Sequence, residues 1–439
     1  MIRATTIGVL KNYRYGLNKS FTKQNDARTT MLTHRNFNSF AEDPAAAAQT
    51  FLLRRARMTA ESQYSVCDTS HRRFQSAWSA LDTVINDVDN ANGKFDETIK
   101  QAGLKGLNDP TGDARTALAK VIDEMGNTLV QVMNNNYAGT FLFSGADGQT
   151  VPFTWEDGAL CYRGIPVDSA VPEVAMKNGT PCTVDEAGNL DAAGQYYIRS
   201  DSISTMTAAD FNAMDAADQP RVMRDAAGDA VTVDESGNFD PAGEYVMVTT
   251  DIKTISKEDY ETEEKNVEKL NYLSKDEKLF MDIGLGNKEN ENDQVISSSV
   301  FDSTLQGINF LGYGKDADGD PKNIVSIIKQ MGDILNRVKD GKLSESDYDD
   351  LYRLTGKFED AADNLKIAHD DMDARTTTLK NNLGLLEGNM YDLVEQYAGI
   401  EDVDDADAIS AFLWASYSYN AALRVGNSVL SQSLMDYMQ

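Results

Sequence analysis

Apolar residues recur at alternating steps of three and four residues in two long proline-free segments. This heptad spacing places one apolar stripe along a helix, and in the first segment it predicts a continuous helix over about 45–102. Shorter helices are predicted over 113–137 and 322–339, and Ser344 is the expected N-cap of the second long helix. The stripe positions are Leu53, Ala60, Tyr64, Cys67, His71, Phe74, Trp78, Leu81, Ile85, Val88, Phe95 and Ile99, and then Leu351, Leu354, Phe358, Ala361, Leu365, Ala368, Met372, Leu379, Leu386, Met390, Leu393 and Tyr397.

Between the helical segments the pattern changes to short alternating strands. Residues 139–165 place alternating apolar residues on both sides of an Asp-Gly dipeptide, which is a strong turn signal for a β-hairpin. Residues 183–198 and 232–247 share ten of sixteen positions, which predicts a duplicated small β unit. Residues 257–278 are rich in charge and predict either a short helix or a mobile loop. The segments LFMDIGLG and VISSSVFDSTLQGINFLGYG then return to strand-like alternation.

Both ends of the chain carry thinner heptad patterns, and polar or small residues such as Gln24, Ser416 and Gly426 interrupt them. Such stripes hold an isolated helical hairpin only weakly, so we expect the terminal helices to become ordered on a partner. The candidate assembly positions are Ile7, Leu10, Leu17 and Phe21 near the N-terminus, and Ile409, Phe412, Tyr419, Leu423, Leu430 and Tyr437 near the C-terminus.

These elements predict a mainly α fold with an inserted β-rich domain. Its frame is a long antiparallel helical rod with a β-hairpin, and the N- and C-terminal helices are paired. Three parts are expected. They are the terminal helices (1–44 plus 402–439), a helical rod with its hairpin (45–165 plus 321–401), and an outer β-rich domain with the internal repeat (166–320).

The charge distribution supports the separate middle domain. The chain has a net charge of −29, and residues 166–320 alone carry 12 basic and 32 acidic side chains. Because phosphate would be repelled by this surface, nucleic acid is excluded as a partner. No run of eighteen apolar residues is present, so no membrane insertion is expected, and the first twenty residues lack the apolar stretch of a cleaved signal peptide.

Candidate catalytic and metal-binding residues are sparse. Cys67 and His71 lie four residues apart on the apolar stripe, so packing is a better interpretation than metal binding. The segment 316–320 (DADGD) resembles a calcium loop, but its glycine comes too early and Ile327 stands where a bidentate acid is needed, which favours an Asx-rich turn. His369 is interpreted as lying on a solvated face. The acidic run EDVDDAD (401–407) is interpreted as favourable charge at the start of the last helix.

The chain carries no common nucleotide-binding, zinc-protease or serine-hydrolase motif. We therefore expect no enzyme activity and no cofactor or metal. Amphipathic helices at both ends favour a self-assembling structural protein.

Four parts of the chain carry a family resemblance. AEDPAAAAQTFLLRRARMTAESQY (41–64) resembles the start of the first long helix of the flagellin superfamily. NNNYAGTFLFSGADGQTVPF (134–153) resembles the hairpin of the hook-filament junction family, hook-associated protein 3. AFLWASYSYNAALRVGNSVLSQSLMDYMQ (411–439) is similar to that family's C-terminal helix. The segments DIGLG and VFDSTLQGINFLGYG fit the returning strands of the family's inserted domain. The resemblance covers both ends of the chain in order and leaves 166–250 outside it.

The resemblance implies a structural role in the bacterial flagellum, at the junction between hook and filament. The terminal helices would form an inner coiled-coil tube, and the acidic insert would face outward. The implied partners are hook-associated protein 1, flagellin, further copies of this chain in a ring, and a flagellar export chaperone. The implied location is extracellular, reached through the flagellar type III apparatus without a cleaved signal peptide.

Two other functions remain open. The first is a flagellin filament subunit, against which the segment THRNFNSFAEDP, the GTFLFSG hairpin and the SLMDYMQ end speak. The second is a secreted adhesin or glycan-binding protein whose activity lies in the duplicated β unit.

Overall fold

The structure is a computed structural model, and it describes residues 3–89, 113–177, 180–198, 204–234, 239–247, 253–286, 296, 299–337 and 343–437. The helices in these residues are α1 (Arg3–Thr33), α2 (Pro44–Asp89), α3 (Asp113–Met133), α4 (Ala208–Ala213), α5 (Lys257–Asn271), α6 (Gly307–Leu311), α7 (Ile324–Asn336), α8 (Glu345–Glu401) and α9 (Asp405–Tyr437).

Fifteen short strands accompany the helices in the described residues. They are β1 (Asn136–Tyr137), β2 (Thr140–Phe141), β3 (Phe153–Glu156), β4 (Ala159–Tyr162), β5 (Ile165–Pro166), β6 (Met176–Lys177), β7 (Thr180–Pro181), β8 (Thr183–Val184), β9 (Gln195–Tyr197), β10 (Thr205–Met206), β11 (Thr232–Val233), β12 (Glu244–Val246), β13 (Thr254–Ile255), β14 (Phe280–Met281) and β15 (Phe301–Asp302).

The predicted fold class is confirmed: long helices frame several small antiparallel sheets, and α1 pairs with α9. The first long helix begins at Pro44, close to the predicted start, and its predicted continuation beyond Asp89 to residue 102 lies outside the described residues. The predicted second long helix is α8, and Ser344 caps it by accepting a hydrogen bond from the Asp347 amide at 3.2 Å. The chain folds as two compact units, 1–71 with 281–301 and 377–439, and 72–280 with 302–376. The three-part division at 44, 165, 320 and 401 stays a prediction.

The second unit has a large apolar core around α7. Nine of the thirteen residues of α7 are buried, and the helix packs against α3. Asn323 starts α7, because its side-chain oxygen accepts hydrogen bonds from the amides of Val325 and Ser326 at 3.0 and 3.3 Å. Buried stripe positions on α2 and α8 include Phe74, Leu81, Val88, Leu351, Leu354, Phe358, Leu365 and Met372. Ala77, Val84 and Ala362 are also buried, although the predicted stripes do not include them.

The predicted hairpin in 139–165 is the antiparallel pair β3–β4, with Asp157 and Gly158 as its turn. Both turn residues have positive φ, 49° and 84°, which is the geometry that makes Asp-Gly a favoured two-residue turn. Strand β5 extends this sheet to three strands. Tyr162 ties the sheet to the neighbouring loop by donating a hydrogen bond to the Phe143 carbonyl at 3.0 Å.

Two further three-stranded sheets lie in the duplicated region, in the orders β13–β9–β8 and β10–β12–β11. The segment 257–278 is helical, which decides between its two predicted alternatives. Ser256 caps α5 by accepting from the Asp259 amide at 3.0 Å, and a π-helical turn over Tyr272–Asp276 follows. The predicted return to strand structure is confirmed for β14 and β15, which form a two-stranded sheet, but it is wrong for Gly307–Leu311, which form α6.

The first unit contains a small polar network around Cys67. The Cys67 thiol donates to the Leu379 carbonyl at 3.5 Å, and Asn382 donates to the Ile283 carbonyl at 2.5 Å and to the Cys67 sulfur at 3.7 Å. Burial raises the pKa of the Cys67 thiol. Cys67 is therefore a packed, hydrogen-bonded residue, as its position on the apolar stripe predicts.

No helix in the described part of the chain is both long and apolar enough to cross a lipid bilayer.

Two glycine-to-alanine substitutions should have opposite effects on stability. A Cβ at Gly194 would lie 2.0 Å from the Val184 carbonyl oxygen, whereas nothing lies within 4 Å of a Cβ at Gly356 in the interior of α8. We expect Gly194→Ala to destabilise the duplicated region by about 1–3 kcal/mol and Gly356→Ala to stabilise α8 by about 1 kcal/mol. Urea unfolding combined with amide exchange of β8, β9 and α8 measures both. Equal protection of β8 and β9 in Gly194→Ala and wild type would contradict the geometry.

Candidate assembly interface

The terminal helices α1 and α9 pack antiparallel in the first unit. The rings of Phe21 and Tyr419 lie 5.7 Å apart, and Gln24 donates a hydrogen bond to the Ser416 hydroxyl at 3.1 Å. A Cβ at Gly426 would lie 1.8 Å from the Tyr13 hydroxyl, so a larger residue here would require the Tyr13 ring to move. Of the residues that interrupt the two heptad patterns, Gln24 and Ser416 thus meet each other across the pair.

The helix pair has almost no core of its own. Among the described side chains of α1 none is buried, and in α9 only Ala408 and Gly426 are. Of the predicted assembly positions, Leu17, Phe412 and Tyr419 are half-buried, whereas Leu10, Phe21, Ile409 and Leu423 are exposed. The other three positions, Ile7, Leu430 and Tyr437, lie outside the residues whose side chains are described.

Heptad counting missed the most exposed aromatic residues of α9. Trp414 is 73% exposed and Tyr417 is 68% exposed, and their rings lie 6.5 Å apart. Neither residue occupies a predicted stripe position. A signal was present, because Arg424 is the only charged residue between Asp407 and Asp436. A helix surface with one charge in this length is typical of a helix that is covered on more than one face.

The two connections at one end of the helix pair are fastened to each other. Residues 34–43 link α1 to α2, and residues 402–404 link α8 to α9. The side chain of Asn36 donates to the carbonyls of Ile400 and Asp402 at 3.1 and 2.9 Å, and its amide donates to the Glu401 carbonyl at 2.7 Å. These bonds hold the connection between α1 and α2 beside the connection between α8 and α9.

An ion-pair cluster lies at the centre of this joint. The Glu401 side chain is only 5% exposed, and it binds Arg35 at 3.2 Å and Arg54 at 2.6 Å. Arg54 also lies over the Tyr397 ring, 5.8 Å from its centroid. Because Glu401 is the last residue of α8, its carboxylate connects both long helices to the connection that follows α1.

Aspartates start both helices that leave the joint. Asp43 accepts hydrogen bonds from the amides of Ala45 and Ala46 at 3.1 and 2.9 Å, with Pro44 in the first helical position. Asp404 accepts from the amides of Ala406 and Asp407 at 2.8 and 3.2 Å. The interpretation of 401–407 as helix-start charge therefore holds for Asp404. It is wrong for Glu401, which forms the ion pairs.

Asp316, Asp318 and Asp320 come together as the calcium-like spacing suggested, with their oxygens within 4.8 Å of one another. Protein cations bind them: Lys357 contacts Asp316 and lies 2.7 Å from Asp318, and Arg353 lies 2.7 Å from Asp320. Partial burial alone would raise the pKa of Asp316. Hydrogen bonds from Lys357 and from backbone amides outweigh this effect and hold the pKa below its usual value. The amide hydrogen bonds to Asp316 confirm the predicted Asx turn.

The interpretation of His369 as a solvated residue is wrong. Its ring lies 5.1 Å from the ring of Trp78, and the residue is half-buried. Trp78 occupies a stripe position on α2, so His369 belongs to the contact between α2 and α8 within the second unit.

Removing the charge of Glu401 should loosen the joint. We expect Glu401→Gln to lower the stability of the first unit by about 1–2 kcal/mol, because two arginines lose a buried ionic acceptor. Asp402→Asn removes the neighbouring exposed charge and should change stability by less than about 0.5 kcal/mol. Urea unfolding and amide exchange of Asn36 and Val403 measure the effect. An equal loss in the two variants would contradict the role of Glu401.

Replacing Lys357 should destabilise the chain in a pH-dependent way. At pH 7 we expect Lys357→Met to unfold at lower urea than wild type, because Asp316 and Asp318 lose their shared cation. A depressed pKa contributes stability only while the group is ionised, so the difference should shrink as the pH falls through the lowered pKa of Asp316. The control is Lys265→Met, which removes an exposed pair with Glu261 and should change little. A difference between Lys357→Met and wild type that persists unchanged down to pH 2 would count against this role.

Comparison with known proteins gives a result for solved structures alone, since no protein-family model and no curated protein matches the chain. A protein described as a flagellar hook-associated protein from Vibrio parahaemolyticus has 12% identity and a TM-score of 0.43, over 82% of this chain and 100% of that one. Hook-associated protein 3 from Legionella pneumophila has 15% identity and a TM-score of 0.39, over 79% and 96%. FlgL from Xanthomonas campestris has 12% identity and a TM-score of 0.37, over 79% of this chain and 99% of that one. The solved structures to which this chain is similar are flagellar hook-associated and junction proteins.

Proposed function

We propose that the chain is a structural adaptor of the bacterial flagellum. It joins the hook, through hook-associated protein 1, to the flagellin filament by coiled-coil self-assembly. The observation that carries the proposal is the α1–α9 pair, in which large apolar side chains such as Trp414, Tyr417 and Phe21 stay exposed. A pair that buries so little within one chain gains its stability from further helices.

Other copies of the same pair fit this surface best. The exposed apolar residues of α9 include Ile409, Leu413, Trp414, Tyr417, Leu423 and Val425. They lie on several faces of the helix, so more than one neighbouring helix is needed to bury them. α1 supplies six basic side chains and one acidic side chain, which limits random aggregation and complements acidic neighbours. A ring of such pairs buries the apolar residues of α9 at its centre and presents one end to hook-associated protein 1 and the other to flagellin.

The joint at Glu401 gives the pair a fixed place on the rest of its unit. Because Arg35 and Arg54 bind the same carboxylate, a load applied to α1 and α9 reaches α2 and α8 through ion pairs and hydrogen bonds. This arrangement suits a protein that transmits torque. Export without a cleaved signal, an export chaperone that covers the terminal helices before assembly, and an extracellular location belong to the same proposal.

The test replaces exposed apolar residues of α9 in the chromosomal gene. Trp414→Asp combined with Leu423→Asp should leave the circular dichroism spectrum and melting of the monomer unchanged, because both side chains are exposed. Cells should then carry hooks with at least about tenfold fewer filaments and release flagellin into the medium.

Tyr352→Asp is the matched control, since Tyr352 is 83% exposed and lies in the second unit. It should leave filament number unchanged. Normal filaments in the α9 double variant would contradict the proposal. Loss of filaments with no flagellin in the medium would identify the chain as a filament subunit instead.

A further inference from the structure

The internal repeat is longer than its sequence identity indicates. The structure extends it to 174–211 and 222–260, including the helix that ends each copy. Thr207 caps α4 by accepting from the Asp210 amide at 3.1 Å, and 49 residues later Ser256 caps α5 by accepting from the Asp259 amide at 3.0 Å. Each copy therefore consists of two paired strands, a third strand and a capped helix.

The third strand of each copy pairs with the other copy. Strand β13 of the second copy pairs with β9 of the first, placing Thr254 opposite Tyr197. Strand β10 of the first copy pairs with β12 of the second, placing Thr205 opposite Val246. Both pairings have the same register after a shift of 49 residues, so the exchange is reciprocal.

Side-chain contacts between the two copies show the same reciprocal exchange. Tyr260 of the second copy packs edge-on against Tyr196 of the first, at 5.2 Å and 69°. Phe211 of the first copy packs in the same way against Tyr245 of the second, at 5.2 Å and 72°. Thr254 donates to Gln195 at 2.6 Å, and the equivalent Thr205 hydroxyl donates to Glu244.

The two copies also share one core, to which each contributes four buried residues. Leu190 and Phe239, at equivalent positions of the two copies, pack against this core. Separating the copies would leave each copy with only its own four residues of the shared core, and these would be exposed to water. The core residues are Ala175, Cys182, Val184 and Tyr197 from the first copy, and Met223, Val231, Val233 and Val246 from the second.

We propose that each copy presents a self-complementary surface whose partner is another copy of the same repeat. In the subunit each copy takes its third strand from the other copy, and neither copy fills the shared core alone. With two copies in one chain the surface is closed within the subunit. A chain that carries one copy completes it with the copy of a second chain, since exchange of identical elements is a low-cost route to a dimer.

A disulfide test in the full-length chain examines the exchange directly. Met206 lies opposite Tyr245 in the structure, whereas in an unexchanged arrangement it would lie opposite Tyr196, by equivalence with the Ile255–Tyr196 pair. We expect mild oxidation to link Met206→Cys with Tyr245→Cys in most molecules, and Met206→Cys with Tyr196→Cys in few. Peptide mapping by mass spectrometry reads both yields. The reverse result would overturn the proposal.

A deletion tests the completion by a second chain. Removing residues 199–247 joins Ile198 to Val248 and leaves one copy, which keeps β8, β9, β13 and α5 but lacks the four core residues of the other copy. We expect light scattering to give twice the subunit mass for this chain at micromolar concentration, compared with the two-copy parent in the same buffer. A deletion chain with the association state of its parent overturns the proposal. If amide exchange shows that the strands of such a chain are protected, one copy folds alone. If the strands are unprotected, copies in separate chains do not complete each other.

Discussion

An amphipathic helix is stable in water only when its apolar face is covered, and α1 and α9 do not cover each other. Contacts such as Phe21 with Tyr419 and Gln24 with Ser416 join the described parts of the two helices, but almost no side chain is buried there, and aromatic side chains of α9 remain in solvent. The second unit shows the opposite condition, because α7 buries nine of thirteen residues. This contrast in burial is the reason why we propose the terminal helices as the assembly interface.

The acidic composition of the chain is balanced locally at several positions. Lys357 and Arg353 bind the three aspartates of 316–320, Arg163 binds Glu277 at 2.8 Å, and Arg35 and Arg54 bind Glu401. In each case a basic side chain distant in sequence meets a partly or fully buried carboxylate. Other described carboxylates, such as Glu186 in a turn and Glu258 and Glu261 on α5, are exposed, so water solvates them and like charge opposes nonspecific association.

Much of the fold was predictable because its causes are local. Heptad spacing identified α2 and α8, the Asp-Gly turn identified the β3–β4 hairpin, and repeat identity identified the duplicated strands. The strand exchange was not predictable, since a third strand has the same sequence whether it pairs within its own copy or with the other. The cations at Asp316 and Glu401 were missed for a related reason, because Lys357 and Arg54 lie far away in sequence. Trp414 was missed because heptad counting follows one stripe, whereas α9 is apolar on several faces.

The central claim is that the terminal helix pair is incomplete in a single chain. Amide hydrogen exchange of the isolated monomer, resolved by peptide, tests it most directly. The account predicts that α1 and α9 exchange through local opening at least about a hundredfold faster than α7, since protection follows the apolar area that opening exposes. Protection of α1 and α9 equal to that of α7 would contradict it, because the pair would then be complete without a partner.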